Sequence, residues 1–298
     1  MQDARLKTLA AVFDKGSFTR AADALSLTQP AVSQHISSLE KELGAKLFRR
    51  GHGELKPTPE GEIALRYAKR INGLYEKMAR EVGDEERRTA RIRIGITHTA
   101  ESNSIATTLA KYASENSGAS ITIITDTISN LYDMLSNYEL DLAVVEGRLN
   151  VPGINALLLD TDYLVCAVAN DNPLAQKNMA TLNDIKKEKL ILRLPSSGTR
   201  NLFVSSLERL NMSIADFNVV LEVDNIATIK DFIRKGMGIS ILARSACLDE
   251  LSKGKLKALP VENLSMTSEI NIIYQKDFGH EEILQALTRI YREITGGQ

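Results

Sequence analysis

Near the N-terminus the apolar residues keep helical spacing. Leu6, Leu9, Ala10 and Phe13 predict an amphipathic helix over 3–14, ended by Lys15-Gly16. Ser17 is placed to cap a second helix over 18–25, in which Ala21-Ala22 let a neighbouring helix approach. After the short turn Ser26-Leu27, Thr28 caps a third helix. Pro30 stands in its first turn, where a missing N–H costs little. Val32, Ile36, Leu39 and Leu43 form the apolar stripe of that helix and Gly44 closes it. Two helices joined by so short a turn make a helix-turn-helix. Leu47 to Arg50, then Gly51-His52-Gly53, then Glu54-Leu55-Lys56 predict a β-hairpin wing. Thr58 and Pro59 open a long helix. In it Ala64, Tyr67, Ile71, Leu74 and Met78 alternate spacings of three and four, the seam of a coiled coil. The charged stretch from Gly83 to Arg88 breaks the seam and predicts a hinge.

Beyond residue 90 the pattern alternates between strand and helix. Strands are predicted at 91–97, 119–126, 141–145, 155–160, 162–169, 189–194, 217–223, 239–242 and 268–275. Helices are predicted at about 102–115, 131–138, 181–188, 200–210, 226–235 and 280–294. Repeated strand–helix units imply parallel sheets with helices on their faces. The organisation is therefore α+β and multidomain: a winged helix-turn-helix over 1–58, a linker and dimerisation helix with hinge over 59–90, and an α/β domain over 91–298.

The chain has 298 residues, 43% hydrophobic and 25% charged, which excludes a disordered chain or a disulfide scaffold. No apolar run approaches the ~18 residues of a membrane span, and the N-terminus lacks the apolar core of a signal peptide. A cytoplasmic protein without membrane contact is expected. Cys166 and Cys247 have no metal-ligand spacing, so no metal site is expected. There is no Gly-rich phosphate loop followed by Lys-Ser/Thr, no HExxH and no GxSxG, and no catalytic triad or cofactor is assigned.

The net charge of −1 hides an asymmetry: residues 1–58 carry +3, residues 59–90 none and residues 91–298 carry −4. A basic head on an acidic body suits nucleic-acid binding by the head. The third helix adds to this. Opposite its apolar stripe stand Gln29, Ser33, Gln34 and Ser37, hydrogen-bonding side chains suited to base edges in a major groove. Arg49 and Arg50 on the wing are available to phosphate or a minor groove.

Residues 13–25, Thr28 to Ile36, Leu39 to Arg50 and Thr58-Pro-Glu-Gly61 together resemble the winged helix-turn-helix of LysR-type transcriptional regulators. The length and the α/β remainder fit the same family. The resemblance implies a sequence-specific DNA-binding regulator that reads a partly palindromic promoter site in double-stranded DNA. Thr28, Gln29, Pro30, Ser33 and Gln34 would approach bases and backbone, and Arg49 and Arg50 would lie on the wing. Gln34 stands where many relatives carry Arg, which leaves the base read there open. The resemblance also implies a two-lobed effector domain similar to periplasmic binding proteins, with lobe I over 91–161 and 267–298 and lobe II over 162–266. The protein would pair with itself through the linker helix, as relatives do that often assemble into a homotetramer.

In open α/β sheets ligands bind beyond the carboxyl ends of strands. Those ends supply Thr97, Thr99, Ser102, Thr127, Ser129 and Glu146 in the first lobe, and Ser197, Thr199, Arg200 and Asn225 in the second. Hydroxyls, helix N–H groups and one Arg suit a small anionic effector. Glu101 and Glu146 would repel an anion if they faced inward, so a zwitterion such as an amino acid stays open. Thr97-His98-Thr99 resembles the matching segment of sulfate-responsive cysteine-biosynthesis regulators. Glu146-Gly147 and Ser197 to Arg200 resemble relatives tied to sulfur or carbon assimilation. The alternative to a regulator is a solute-binding protein or enzyme whose helical head only mediates assembly, which predicts no salt-dependent affinity for DNA.

Overall fold

The computed structural model describes residues 3–51, 54–87, 90–101 and 104–296. The chain divides into two compact units, Met1–Ala90 with Ser136–Glu139, and Arg91–Leu135 with Leu140–Gln298.

The first unit holds α1 (Ala4–Lys15), α2 (Phe18–Leu25), α3 (Gln29–Leu43), the antiparallel strands β1 (Phe48–Gly51) and β2 (Glu54–Pro57), and α4 (Pro59–Arg87). Side-chain caps start the helices: Ser17 accepts from the Arg20 N–H, Thr28 from Ala31, and Thr58 from Gly61. Gly16 and Gly44 close α1 and α3 with left-handed backbones. Leu9, Val12, Ala21, Ala22, Val32, Ile36, Leu39, Leu47 and Ala68 form one buried core. Each large aliphatic side chain in it contributes roughly 1.5–3 kcal/mol. Phe48 extends that core to the wing, with its ring 5.0 Å from Phe13 and 5.8 Å from Phe18. Gly61 has a steric reason to be glycine, because a Cβ there would lie 2.0 Å from the Leu47 carbonyl oxygen.

The second unit continues with β3 (Ala90–Ile96), α5 (His98–Glu101), α6 (Ser104–Glu115), β4 (Ala119–Thr125), α7 (Ile128–Ser136), β5 (Leu142–Glu146) and β6 (Ile154–Val168). Then come α8 (Leu182–Lys187), β7 (Leu190–Leu192), α9 (Gly198–Glu208), β8 (Val219–Glu222), α10 (Ile226–Arg234), β9 (Ile239–Ala243), α11 (Leu248–Ser252), β10 (Lys257–Leu259), β11 (Thr267–Gln275) and α12 (Glu281–Thr295). The strand order is β4-β3-β5-β11-β6-β9-β7-β8, with β10 paired to β6. Parallel pairs β3–β5, β7–β8 and β7–β9 alternate with helices, while β11 runs antiparallel to β5 and β6. Two principal cores result. One joins Ile94, Ile96, Leu109 and Leu287, and the other joins Cys166, Leu190, Phe203 and Ile241.

Three elements differ from the pattern reading. The strands predicted at 155–160 and 162–169 are one strand, β6. Its acidic Asp160-Thr161-Asp162 stretch does not break it, because each carboxylate finds a partner. Asp160 accepts from the Tyr291 hydroxyl at 2.8 Å, and Asp162 accepts from the Ser245 hydroxyl at 2.5 Å. A short helix that the pattern does not predict, α5 at His98–Glu101, precedes the helix expected from about 102, with Thr97 Oγ1 accepting from Ala100 N–H at 3.3 Å. Strand β10 carries only three residues, too few for a periodicity to show.

Candidate functional site

The exposed face of α3 is the first site. Val32, Ile36 and Leu39 are buried, which turns Gln29, Gln34 and Ser37 outward, with Ser33 half-buried beside them. Gln29 Nε2 donates to Ser33 Oγ at 2.9 Å, so these two side chains form one polar platform a turn apart. Thr28 and Pro30 are exposed at the helix start. The helix is held against α1 by Thr8 Oγ1 and His35 Nδ1, 2.8 Å apart. Arg49 is exposed on β1 directly opposite Lys56 on β2. The pair places two basic side chains side by side on the wing. The Arg50 side chain lies outside the described residues.

The second site sits at the carboxyl ends of β3, β5 and β7. Thr97 Oγ1 donates to Glu146 Oε2, and Thr99 and Thr199 bring their hydroxyls to 3.3 Å across the two lobes. Arg193 follows β7 directly and is only 2% exposed. One of its terminal nitrogens donates to Asp224 Oδ1 at 3.2 Å, while Nε and Nη1 are buried without a partner. Glu146 Oε1 is likewise buried and unpaired. Burial raises the Glu146 pKa from 4.5 to about 7, opposed by the Thr97 hydrogen bond. Burial also lowers the pKa of Arg193 from its ordinary value, against the pull of Asp224. Buried polar groups are nearly always paired, so these unpaired atoms make Arg193 and Glu146 candidate ligand contacts.

Two adjoining cavities occupy this place. The smaller, about 30 Å³, is lined by Thr97, His98, Thr99, Asp126, Thr127, Glu146, Arg193, Ser196, Ser197 and Asp224 among others. The larger, about 260 Å³, shares Thr99, Glu146 and Gly198 with it and adds Thr199 and Asp162. Of the residues expected from the sequence, Thr97, Thr99, Thr127, Glu146, Ser197 and Thr199 line these cavities. Ser102 lies outside the described residues. Ser129, Arg200 and Asn225 do not line them, for separate reasons. Ser129 is exposed on α7. Arg200 Nη1 is drawn to Glu222 at 2.6 Å and to the Arg193 carbonyl at 3.0 Å. Asn225 caps α10, accepting from Thr228 N–H at 3.0 Å. The expectations missed Arg193. The available signal was its position, the first polar residue after a fully apolar parallel strand.

A family model described as "LysR substrate binding domain" matches residues 85–295, and one described as "Bacterial regulatory helix-turn-helix protein, lysR family" matches residues 4–62. The chain belongs to the LysR family. It is a LysR-type transcriptional regulator with an effector-binding domain. An uncharacterized HTH-type transcriptional regulator, MJ0300 of Methanocaldococcus jannaschii, is 30% identical over 260 residues, covering 86% of this chain and 87% of that protein. Full-length CbnR complexed with its target DNA has the same fold, with a TM-score of 0.66 at 18% identity, covering 98% of this chain and 99% of that one. The CcmR regulatory domain of Synechocystis in complex with 2-PG superposes with a TM-score of 0.61 at 22% identity, covering 68% of this chain and 98% of that one.

Among the described residues no group of His, Cys, Asp and Glu is disposed to hold a metal, and no helix is long and apolar enough to cross a membrane. Cys166 and Cys247 are buried, and desolvation pushes both thiols up to about 12. Thiols held protonated in this way are poor nucleophiles.

Proposed function

We propose that this LysR-type regulator reads DNA through Gln29, Ser33 and Gln34 and answers to a small effector whose anionic group is held by Arg193 between the two lobes. The observation that carries the effector reading is the buried Arg193 guanidinium with Nε and Nη1 unpaired. A guanidinium offers parallel N–H groups that match a carboxylate or oxyanion. Thr99 and Ser197 add hydroxyls, and the start of α9 adds N–H groups that lack helical partners. A ligand touching Thr99 and Thr199 at once favours one arrangement of the lobes over others in proportion to its differential affinity. The CcmR regulatory domain in complex with 2-PG is a precedent for a small molecule in this fold.

For DNA, Thr28 and Pro30 at the helix start and Arg49 and Arg50 on the wing supply backbone contacts, and CbnR on its target DNA is the precedent for the fold. A second copy of the chain is the proposed occupant of the α4 seam. Tyr67, Ile71, Leu74 and Met78 are each about half exposed, and Ile63, Tyr67 and Ile71 border an apolar groove of about 520 Å³. A dimer of helix-turn-helix units meets two half-sites of a partly palindromic operator, and pairs of dimers would make the homotetramer. The protein acts in the cytoplasm on DNA and catalyses no reaction.

The test is calorimetric titration with sulfate, phosphate and short carboxylates. Arg193→Gln abolishes binding of any ligand that wild type takes and removes its effect on the DNA footprint. Equal affinity in both proteins places the effector elsewhere.

A further inference from the structure

Both cavities hold carboxylates, but the smaller also holds Arg193 and His98, and the larger has no cation among the described residues to offset its own. The larger is lined by three carboxylates, Glu146, Asp162 and Glu269, and by no Lys, Arg or His among the described residues. The three are not equivalent. Asp162 is satisfied within the protein, since Oδ1 accepts from the Tyr163 and Ser245 N–H groups and Oδ2 from the Ser245 hydroxyl. Glu269 is exposed and accepts weakly from Asn271 at 3.4 Å. Glu146 alone keeps a buried oxygen, Oε1, with no partner, and it borders both cavities. The cleft therefore offers unpaired donors of Arg193 in the smaller cavity and an unpaired acceptor of Glu146 where the two cavities adjoin.

We infer that the effector is a small zwitterion of amino-acid type, whose acid meets Arg193 and whose protonated amine meets Glu146. This rests on the anion-site reading of Arg193 given above. A second acid group in the larger cavity would face three carboxylates of its own sign. An apolar tail would leave Glu146 Oε1 desolvated and unpaired, which costs the full desolvation of that group. A hydroxyl would pair it but leave the negative field uncompensated. An ammonium group does both, with charge-assisted hydrogen bonds. A metal cation does not fit, because the carboxylates do not converge as a ligand set among the described residues. A cavity of about 260 Å³ lies near the small end of ligand sites, which limits the effector to a compact molecule.

The experiment uses the full-length protein and four acids of one length: butyrate, succinate, 4-aminobutyrate and 2-aminobutyrate, with sulfate and phosphate alongside. Affinities are measured by calorimetry on wild type, Glu146→Gln and Arg193→Gln. At least one aminobutyrate is expected to bind wild type about tenfold or more tighter than butyrate and succinate. That ratio falls toward one in Glu146→Gln, and Arg193→Gln binds none of them. Butyrate or succinate binding wild type as tightly as both aminobutyrates overturns the inference, whatever the variants do. Sulfate or phosphate binding through Arg193 while all four acids fail also overturns it and leaves the anion site standing. Absence of any Arg193-dependent ligand overturns the anion site and this inference together.

Discussion

Glu146→Gln separates the cost of the effector site from its use. Glu146 is the ionisable group most shifted in the cleft, with a folded pKa of about 7 against an ordinary 4.5. The groups acting on it come from several elements. Burial and Asp162 on β6 raise it, while the Thr97 hydroxyl after β3 and Arg193 after β7 lower it. The folded protein therefore holds a proton here that the unfolded chain has released. Stability falls as pH rises from 4.5 to about 7, and the loss is complete above that range. At ~1.4 kcal/mol for each tenfold change in proton affinity, the ionised carboxylate costs the folded state roughly 3 kcal/mol. A neutral amide of the same shape avoids that cost. Glu146→Gln should then match wild type near pH 4.5 and exceed it by up to roughly 3 kcal/mol at pH 8.5, about 6–12 °C in melting temperature for a domain of this size. Thermal melts of both proteins at steps of pH, without ligand, measure the difference directly. A difference that does not change between pH 5 and pH 8 would refute the reasoning.

Three further outcomes follow from the first unit. Ser33→Ala with Gln34→Ala should weaken operator binding by about 1–3 kcal/mol while leaving the salt slope and far-UV spectrum unchanged; unaltered discrimination against random DNA would remove the α3 platform from readout. Gly61→Ala should destabilise the winged unit by about 1–3 kcal/mol or more, because its Cβ would meet the Leu47 carbonyl oxygen at 2.0 Å. Chemical denaturation monitors that change, and a neutral result would mean that the backbone at Leu47 yields at little cost. Ile71→Glu should turn the dimer into a monomer in sedimentation analysis by placing a charge in the apolar seam; a variant that stays dimeric would put the interface elsewhere.

The winged head is legible in the chain because its determinants are local. Thr28, Pro30 and Gly44 bound α3, and the spacing of Val32, Ile36 and Leu39 already separates its buried from its exposed face. The effector cleft is less so, because its decisive features depend on partners far along the chain. Arg200, next to a helix start, reads as the natural anion ligand, yet Glu222 on β8 takes up its guanidinium. Arg193, the first polar residue after the apolar run Leu190-Ile191-Leu192, reads as a solvent-facing strand end. Only the folded chain shows that it is buried, with Asp224, 31 residues further on, to hold it. The continuity of β6 was hidden for a similar reason. Asp160 and Asp162 look like a turn until Tyr291 and Ser245 are seen to receive them.

That continuity has a mechanical consequence. β6 pairs with β11 as far as Tyr163 and then, from Leu164, with β9 and β10, so one unbroken strand runs through both lobes. A loop between lobes would act as a free pivot. A strand in a paired ribbon acts as a torsion bar, because bending it sideways strains the ladder while winding it further about its axis is permitted. The irregular step between Ile270 and Asn271 on β11, where the register shifts, is the compliant point of that bar. On the proposed effector reading, a ligand in the cleft would load this ribbon in twist, turning the lobes relative to one another rather than opening them like jaws.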